Sequence, residues 1–201
     1  MTDAADPAAE RYAGPPLTRT QIVEALRPLL PTIDRLGGRV MIVGTASCAL
    51  AGIDVPTGDV DFLALDRDAV DELARAAEDV GFSTLFAPGW LAWTPESGQY
   101  FARSAAGDVW IEFSTVEIDG EQREIAGRRQ SGVVDVEGVA IKAEALEARL
   151  ATELARNRPD RWVPIARFLA RRGYDEALMS SAIAEFAAFR PILELLAASP
   201  L

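Results

Sequence analysis

Asp59 and Asp61 stand two residues apart in the run Asp59-Val60-Asp61-Phe62-Leu63. Five acidic pairs of that spacing occur in the chain, the others being Asp66/Asp68, Glu117/Asp119, Asp119/Glu121 and Asp135/Glu137, so spacing alone carries nothing. What sets the first pair apart is its setting, since Val60, Phe62, Leu63 and Leu65 make it part of a strand with a buried pattern. Residues i and i+2 of a strand share a face, so two carboxylates lie side by side. Like charges that close disfavour each other and the fold unless a cation lies between them. A divalent ion in an oxygen-only site is the simplest resolution. Mg²⁺ takes a few carboxylates and completes its shell with water or substrate phosphates, and Mn²⁺ accepts the same donors.

A third carboxylate is expected from a neighbouring strand, and Asp108-Val109-Trp110-Ile111-Glu112-Phe113 offers two. Glu112 is the better candidate, because Ile111 and Phe113 flank it as apolar residues flank Asp61. Asp108 follows Gly107 and reads as a turn residue. Upstream, the apolar run Val40-Met41-Ile42-Val43 enters Gly44-Thr45-Ala46-Ser47, and thirteen residues separate Thr45 from Asp59. A glycine at a sharp strand-to-helix turn leaves backbone N–H groups facing outward, a natural place for phosphate, with Thr45 and Ser47 adding hydroxyls. The plainer reading is a tight turn with a helix cap.

Basic residues supply the complementary charge. Lys142 is the one lysine beside nineteen arginines. It follows Ile141 at an expected strand-to-helix junction, where a compact ammonium suits a phosphate oxygen. Seven arginines between 149 and 172 face only Glu153 and Asp160, a local excess of five that leaves the rest of the chain at −16. A solvated helix face is the default for such a run. Arg149 and Arg156 are its candidates for an anionic substrate, and Arg103 is a third from the region before Glu112. Trp90, Trp93, Tyr100, Phe101 and Trp110 have the alternate spacing of cross-strand packing.

The elements that must position these groups read as α/β (α+β): a mixed sheet flanked by helices, then a C-terminal helical region. Leu17 to Leu36 has helical spacing, with Thr18 as N-cap, a break or bend at Pro28 and Pro31, and Gly37-Gly38 as the stop. A strand over 39–43, a helix over 45–51, a strand over 59–65 and a helix over 68–80 follow, with Asp66 and Asp68 as capping residues. Residues 83–116 read as a meander broken at Pro88-Gly89, Pro95 to Gly98 and Ala106-Gly107. Shorter strands are expected at 124–126, 133–136 and 139–141. Helices are then expected at 143–157, 160–172 and 175–190, with Pro191 opening a last turn. This divides the chain into a leader (1–16), a core (17–141) and a helical region packed on it (142–201).

Composition narrows the chemistry. The chain has no histidine, which removes His-based general bases, Ser-His and Cys-His nucleophile pairs and the usual His-containing zinc sites. The single cysteine, Cys48, sits among Ala46, Ala49 and Leu50 as a small buried filler and fits a reducing compartment. A net charge of −11 argues against a general nucleic-acid coat. Met1 to Pro16 lacks the basic start and apolar centre of a signal peptide, and no run is long enough to span a bilayer, so a cytoplasmic protein is expected.

Taken together, Gly44-Thr45, Asp59-x-Asp61 and Ile111-Glu112-Phe113 resemble the DNA polymerase β-like nucleotidyltransferase superfamily, over about residues 38–116. The helical tail looks like that of its small AbiEii-type members, which include toxins of toxin–antitoxin pairs. The resemblance implies a nucleotidyltransferase-type fold and transfer of NMP from an NTP to a hydroxyl. Asp59, Asp61 and Glu112 would bind Mg²⁺ or Mn²⁺, Glu112 would help to activate the acceptor, and Gly44-Thr45 would hold the triphosphate. An RNA 3′ end such as that of tRNA is the favoured acceptor, with an antitoxin as possible partner. The alternatives are a non-catalytic nucleotide- or partner-binding module and an enzyme that modifies an antibiotic or metabolite. Arg149 and Arg158-Pro159-Asp160-Arg161 stand where toxin-like members carry Lys and a Lys-Asp stretch.

Overall fold

A computed structural model describes residues 14–86, 94–115 and 131–198. Thr18 caps helix α1 (Arg19–Leu26) through a reciprocal capping box with Gln21. Pro28 and Pro31 then divide the apolar stretch into a 3-10 turn (Arg27–Leu29) and α2 (Leu30–Leu36), since a proline nitrogen cannot donate to the preceding turn. Strand β1 (Val40–Val43) runs into α3 (Gly44–Leu50), and β2 (Val60–Ala64) leads to α4 (Arg67–Asp79). Asp66 caps α4 by accepting from Ala69 N, and Arg39 pairs with the same carboxylate. Strands β3 (Ser83–Phe86), β4 (Gln99–Arg103) and β5 (Trp110–Thr115) form the expected meander, and β6 (Ser131–Val136) and β7 (Val139–Glu144) form a hairpin.

The seven strands make one mixed sheet in the order β3-β4-β5-β2-β1-β7-β6, parallel at β5/β2 and β1/β7 and antiparallel elsewhere. One face carries Val40, Ile42, Val60, Phe62, Ile111, Phe113, Ile141 and Ala143, and packs on α1, α2 and α4 through Ile22, Leu26, Ile33, Val70 and Leu73. The other face carries Met41, Val43 and Leu63 as a small apolar patch, with the acids in the same rows. Alternation along a strand explains the split, and it is why every β1 residue is buried although β1 serves two environments.

The C-terminal helices are α5 (Leu146–Ala155), α6 (Pro159–Arg172), α7 (Glu176–Ala182) and α8 (Phe186–Ala198). They enclose a second apolar cluster of Leu150, Ile165, Leu169, Met179, Phe186, Phe189 and Leu193, which reaches Cys48, Ile53 and Val55. Helix α3 is thus shared, with Ala46, Ala49 and Leu50 in the main core and Cys48 in the second.

Three expectations are corrected. The strand expected at 139–141 continues to Glu144, so Lys142 lies inside β7 and not at a strand-to-helix junction, and the helix expected from 143 starts at Leu146. The helix expected over 175–190 is broken at Ile183, whose backbone is extended (φ −114°, ψ 109°). Pro191 does not open a turn but lies inside α8, on its exposed side, where the lost backbone bond is left to solvent. The leader up to residue 13, Pro88-Gly89, Trp90, Trp93 and the strand expected at 124–126 lie outside the described residues. Among the described residues no helix is long and apolar enough to cross a membrane.

Candidate active site at one end of the central strands

The carboxyl ends of β1 and β7 and the amino ends of β2 and β5 meet at one edge of the sheet. There the register sets Val43 beside Asp61 and Asp61 beside Glu112, while Asp59 lies one residue before the β2 ladder begins. Adjacent strands are about 4.8 Å apart, so Asp61 and Glu112 project carboxylates from neighbouring positions on one face. Asp59 and Glu112 are each 9% exposed, and Asp61 is half-buried.

Gly44 closes the site at the end of β1. Its φ of +71° is a left-handed value that L side chains rarely adopt, and a Cβ there would stand 2.7 Å from Asp61 Oδ2. Glycine is therefore required twice, for the turn and for close approach of the Asp61 carboxylate. The backbone N–H of Gly44 donates to Glu144 Oε2 at 3.1 Å, so a side chain of β7 already uses the first amide of α3. Ser47 is buried, and its hydroxyl donates inward to Gly44 O at 2.8 Å. Thr45 is buried at the same turn.

Glu112 has a neighbour that sequence reading passed over. Gln99, fully buried on β4, donates from Nε2 to Glu112 Oε1 at 2.5 Å. Its own Oε1 is buried without a hydrogen-bond partner among the described residues. Gln99, Phe101 and Arg103 alternate onto the Glu112 face of the sheet, which is the signal that could have found it. Arg103 pairs with Trp110 across the hairpin, its guanidinium 5.3 Å over the indole ring and its Nε donating to Gly107 O at 2.7 Å. It shares the face of Glu112, at the next row. Asp108 accepts from Ser104 Oγ at 2.8 Å as part of the turn.

The other basic candidates separate. Lys142, half-buried on β7, is two residues from Glu144 and so on the same side of the sheet, about 10 Å and two strands from β2. Arg149 is 4% exposed and turned inward, with NH1 3.6 Å from Glu144 Oε2 and Nε 3.4 Å from Glu153 Oε1. Arg156 is exposed at the end of α5. The structure thus sets Gly44, Asp61 and Glu112 side by side at one end of the central strands, with Asp59 one residue before β2. Glu144 and Glu153 are a second omission of the sequence reading. The 149/153 spacing is visible in the sequence, but the link to Glu144 crosses a strand-to-helix junction. On α3, burial pushes the Cys48 thiol up to about 12, with the Glu144 charge adding to it.

In chemistry the donors suit a hard divalent cation, being carboxylates only, and the Gly44 cradle leaves the Asp61 carboxylate room that a Cβ would fill. Their side chains do not close round one point: among the described residues no three acids or cysteines are grouped to hold a metal ion.

No protein-family model matches the chain, and no curated protein matches it by sequence. Solved structures give distant likenesses. A Thermotoga maritima protein classed provisionally as a nucleotidyltransferase is 18% identical with a TM-score of 0.48, over 71% of this chain and 88% of its own. An antigenic nucleotidyltransferase-like protein from Paracoccidioides brasiliensis is 17% identical with a TM-score of 0.48, over 90% and 94%. The antibiotic-resistance factor ANT(2'')-Ia is 14% identical with a TM-score of 0.46, over 90% and 91%. At this distance the likenesses assign no activity to this chain.

Proposed function

We propose that the chain is a divalent-metal-dependent nucleotidyltransferase that moves the NMP unit of an NTP onto a hydroxyl and releases pyrophosphate. The observation that carries the reading is the register that makes Asp61 and Glu112 neighbours on β2 and β5, with the Gly44 turn packed against Asp61. Asp59, Asp61 and Glu112 are the residues that would hold Mg²⁺ or Mn²⁺, which when bound supplies charge stabilisation for the transferring phosphoryl group and the leaving pyrophosphate.

The remaining steps use the chain's own groups. Glu112, oriented by the Gln99 amide, takes the proton of the acceptor hydroxyl as that oxygen attacks the α-phosphorus. The bond from the α-phosphorus to the bridging oxygen breaks in line, and its electron pair leaves with pyrophosphate. Thr45 and Lys142 are the groups offered to the anionic tail of the nucleotide. Because Glu144 takes the Gly44 N–H, the amides after Gly44 are the ones left for phosphate at this turn.

For the acceptor, an RNA 3′ end such as that of tRNA is favoured by the exposed arginines Arg156 and Arg158 between α5 and α6 and Arg171 and Arg172 at the end of α6. A toxin role with an antitoxin partner in the cytoplasm is the narrower form of the same reading. The test is pyrophosphate release from each of the four NTPs with Mg²⁺ and total RNA. Release by the wild type and none by Asp61→Asn, folded alike, is expected. Equal release by both would overturn the assignment.

A further inference from the structure

We propose that Glu144 is a positioning residue for this site, through which the C-terminal helices set the backbone against which Asp61 packs. The inference rests on the reading of Asp61 as a site residue. Glu144 ends β7, is 2% exposed, and its Oε2 faces two donors, Gly44 N at 3.1 Å and Arg149 NH1 at 3.6 Å. Arg149 continues to Glu153, which is fully buried one turn further along α5. Three charged side chains are thus sunk between β7, α3 and α5.

Burying charges is costly, and apolar residues of similar volume would join a strand to a helix at least as well. What an apolar contact cannot do is accept the Gly44 N–H. That amide starts α3, so it belongs to the helix-end donors that have no partner in their own helix. Held by Glu144, it fixes the left-handed turn whose Cα lies so close to Asp61 Oδ2 that a Cβ would not fit. The chain of contacts runs from Glu153 through Arg149, Glu144 and Gly44 to the Asp61 carboxylate. Arg149 offsets the Glu144 charge beside the acids and ties the turn to the helical region.

The experiment compares Glu144→Ala, Glu144→Gln and Arg149→Met with the wild type by Mn²⁺ binding in electron paramagnetic resonance. The Gly44 amide resonance in ¹⁵N-labelled protein is read alongside. Leu150→Ala, a packing change in the same helix, is the structural control. Glu144→Ala is expected to shift the Gly44 amide and weaken Mn²⁺ binding about 10- to 100-fold, the range for groups that orient metal ligands. Glu144→Gln should recover much of that affinity, because its amide oxygen still accepts from Gly44 N, whereas Arg149→Met, which removes the Arg149 cation from Glu144, should shift the Gly44 amide and serves should the alanine variant not fold. Leu150→Ala should lower stability and leave Mn²⁺ affinity unchanged. An unmoved Gly44 amide in both Glu144→Ala and Arg149→Met, or an equal loss of affinity in Leu150→Ala, overturns the proposal. Absence of Mn²⁺ binding by the wild type would instead refute the metal-site reading, and the Gly44 amide would still decide the link to Glu144.

Discussion

Gly44→Ala separates backbone strain from displacement of the Asp61 carboxylate, because Gly52 provides an internal control. Both glycines have left-handed φ values, +71° and +87°, but a Cβ on Gly52 meets nothing within 4 Å, whereas one on Gly44 meets Asp61 Oδ2 at 2.7 Å. Alanine at a left-handed position costs about 1–2 kcal/mol, so Gly52→Ala should lose about that much. Gly44→Ala carries the same strain plus an overpacking cost of about 1–3 kcal/mol, for a total near 2–5 kcal/mol. The Asp61 carboxylate has to move out of the way, and a displacement of about 1 Å in a reacting constellation costs on the order of 100-fold in rate. Urea unfolding of the two variants gives the stability difference, and NTP turnover at saturating metal gives the rate. The expected pattern is a modest, activity-neutral loss for Gly52→Ala and a larger loss of both for Gly44→Ala. Equal stability and equal turnover in the two variants would refute the packing argument.

Three further outcomes follow from named contacts. Gln99→Leu removes the donor to Glu112 but also the buried Oε1 that has no hydrogen-bond partner among the described residues, so the two effects of about 1–3 kcal/mol oppose each other. Stability should change little while turnover falls about tenfold or more, read by the same two assays. Cys48 should react with a thiol reagent at pH 8 only after unfolding. Because burial raises its folded value to about 12, its contribution to stability is complete below the unfolded value near 8.5 and is lost as pH climbs toward 12. Asp66 is the opposite case: hydrogen bonding from Arg39, then from Ala69 N, holds its carboxyl below the usual range. Its contribution is present above the unfolded value near 3.9 and lost as pH falls through the folded one. Both partners are more than a third exposed, so the effect should stay under about 1 kcal/mol. The gap between wild type and Asp66→Asn in urea midpoint should therefore be small at pH 7 and vanish near pH 2.

The acidic strands were legible because burial and charge conflict locally. Asp61 between Val60 and Phe62 and Glu112 between Ile111 and Phe113 each announce a strand with one acidic face. The helix signals were equally local, in Thr18 with Gln21 and in Pro28 and Pro31. Contacts across distant segments were not legible. Gln99 meets Glu112 only through the β4/β5 register, and Glu144 meets Gly44 across 100 residues of chain. Arg149 looked like one of a solvated arginine run, because composition counts charges without showing which side of a helix turns inward. The Ile183 break in the tail carries neither glycine nor proline, so a periodic apolar pattern ran straight through it.

The most direct measurement is label transfer. The protein is incubated with each α-³²P-labelled NTP, Mg²⁺ and total tRNA, beside Asp59→Ala, and the label is followed into RNA, protein and small products. Label is expected in one acceptor class, lost in Asp59→Ala and when the metal is chelated. Transfer that survives Asp59→Ala, or none into any class although metal and NTP bind, would contradict the proposed function.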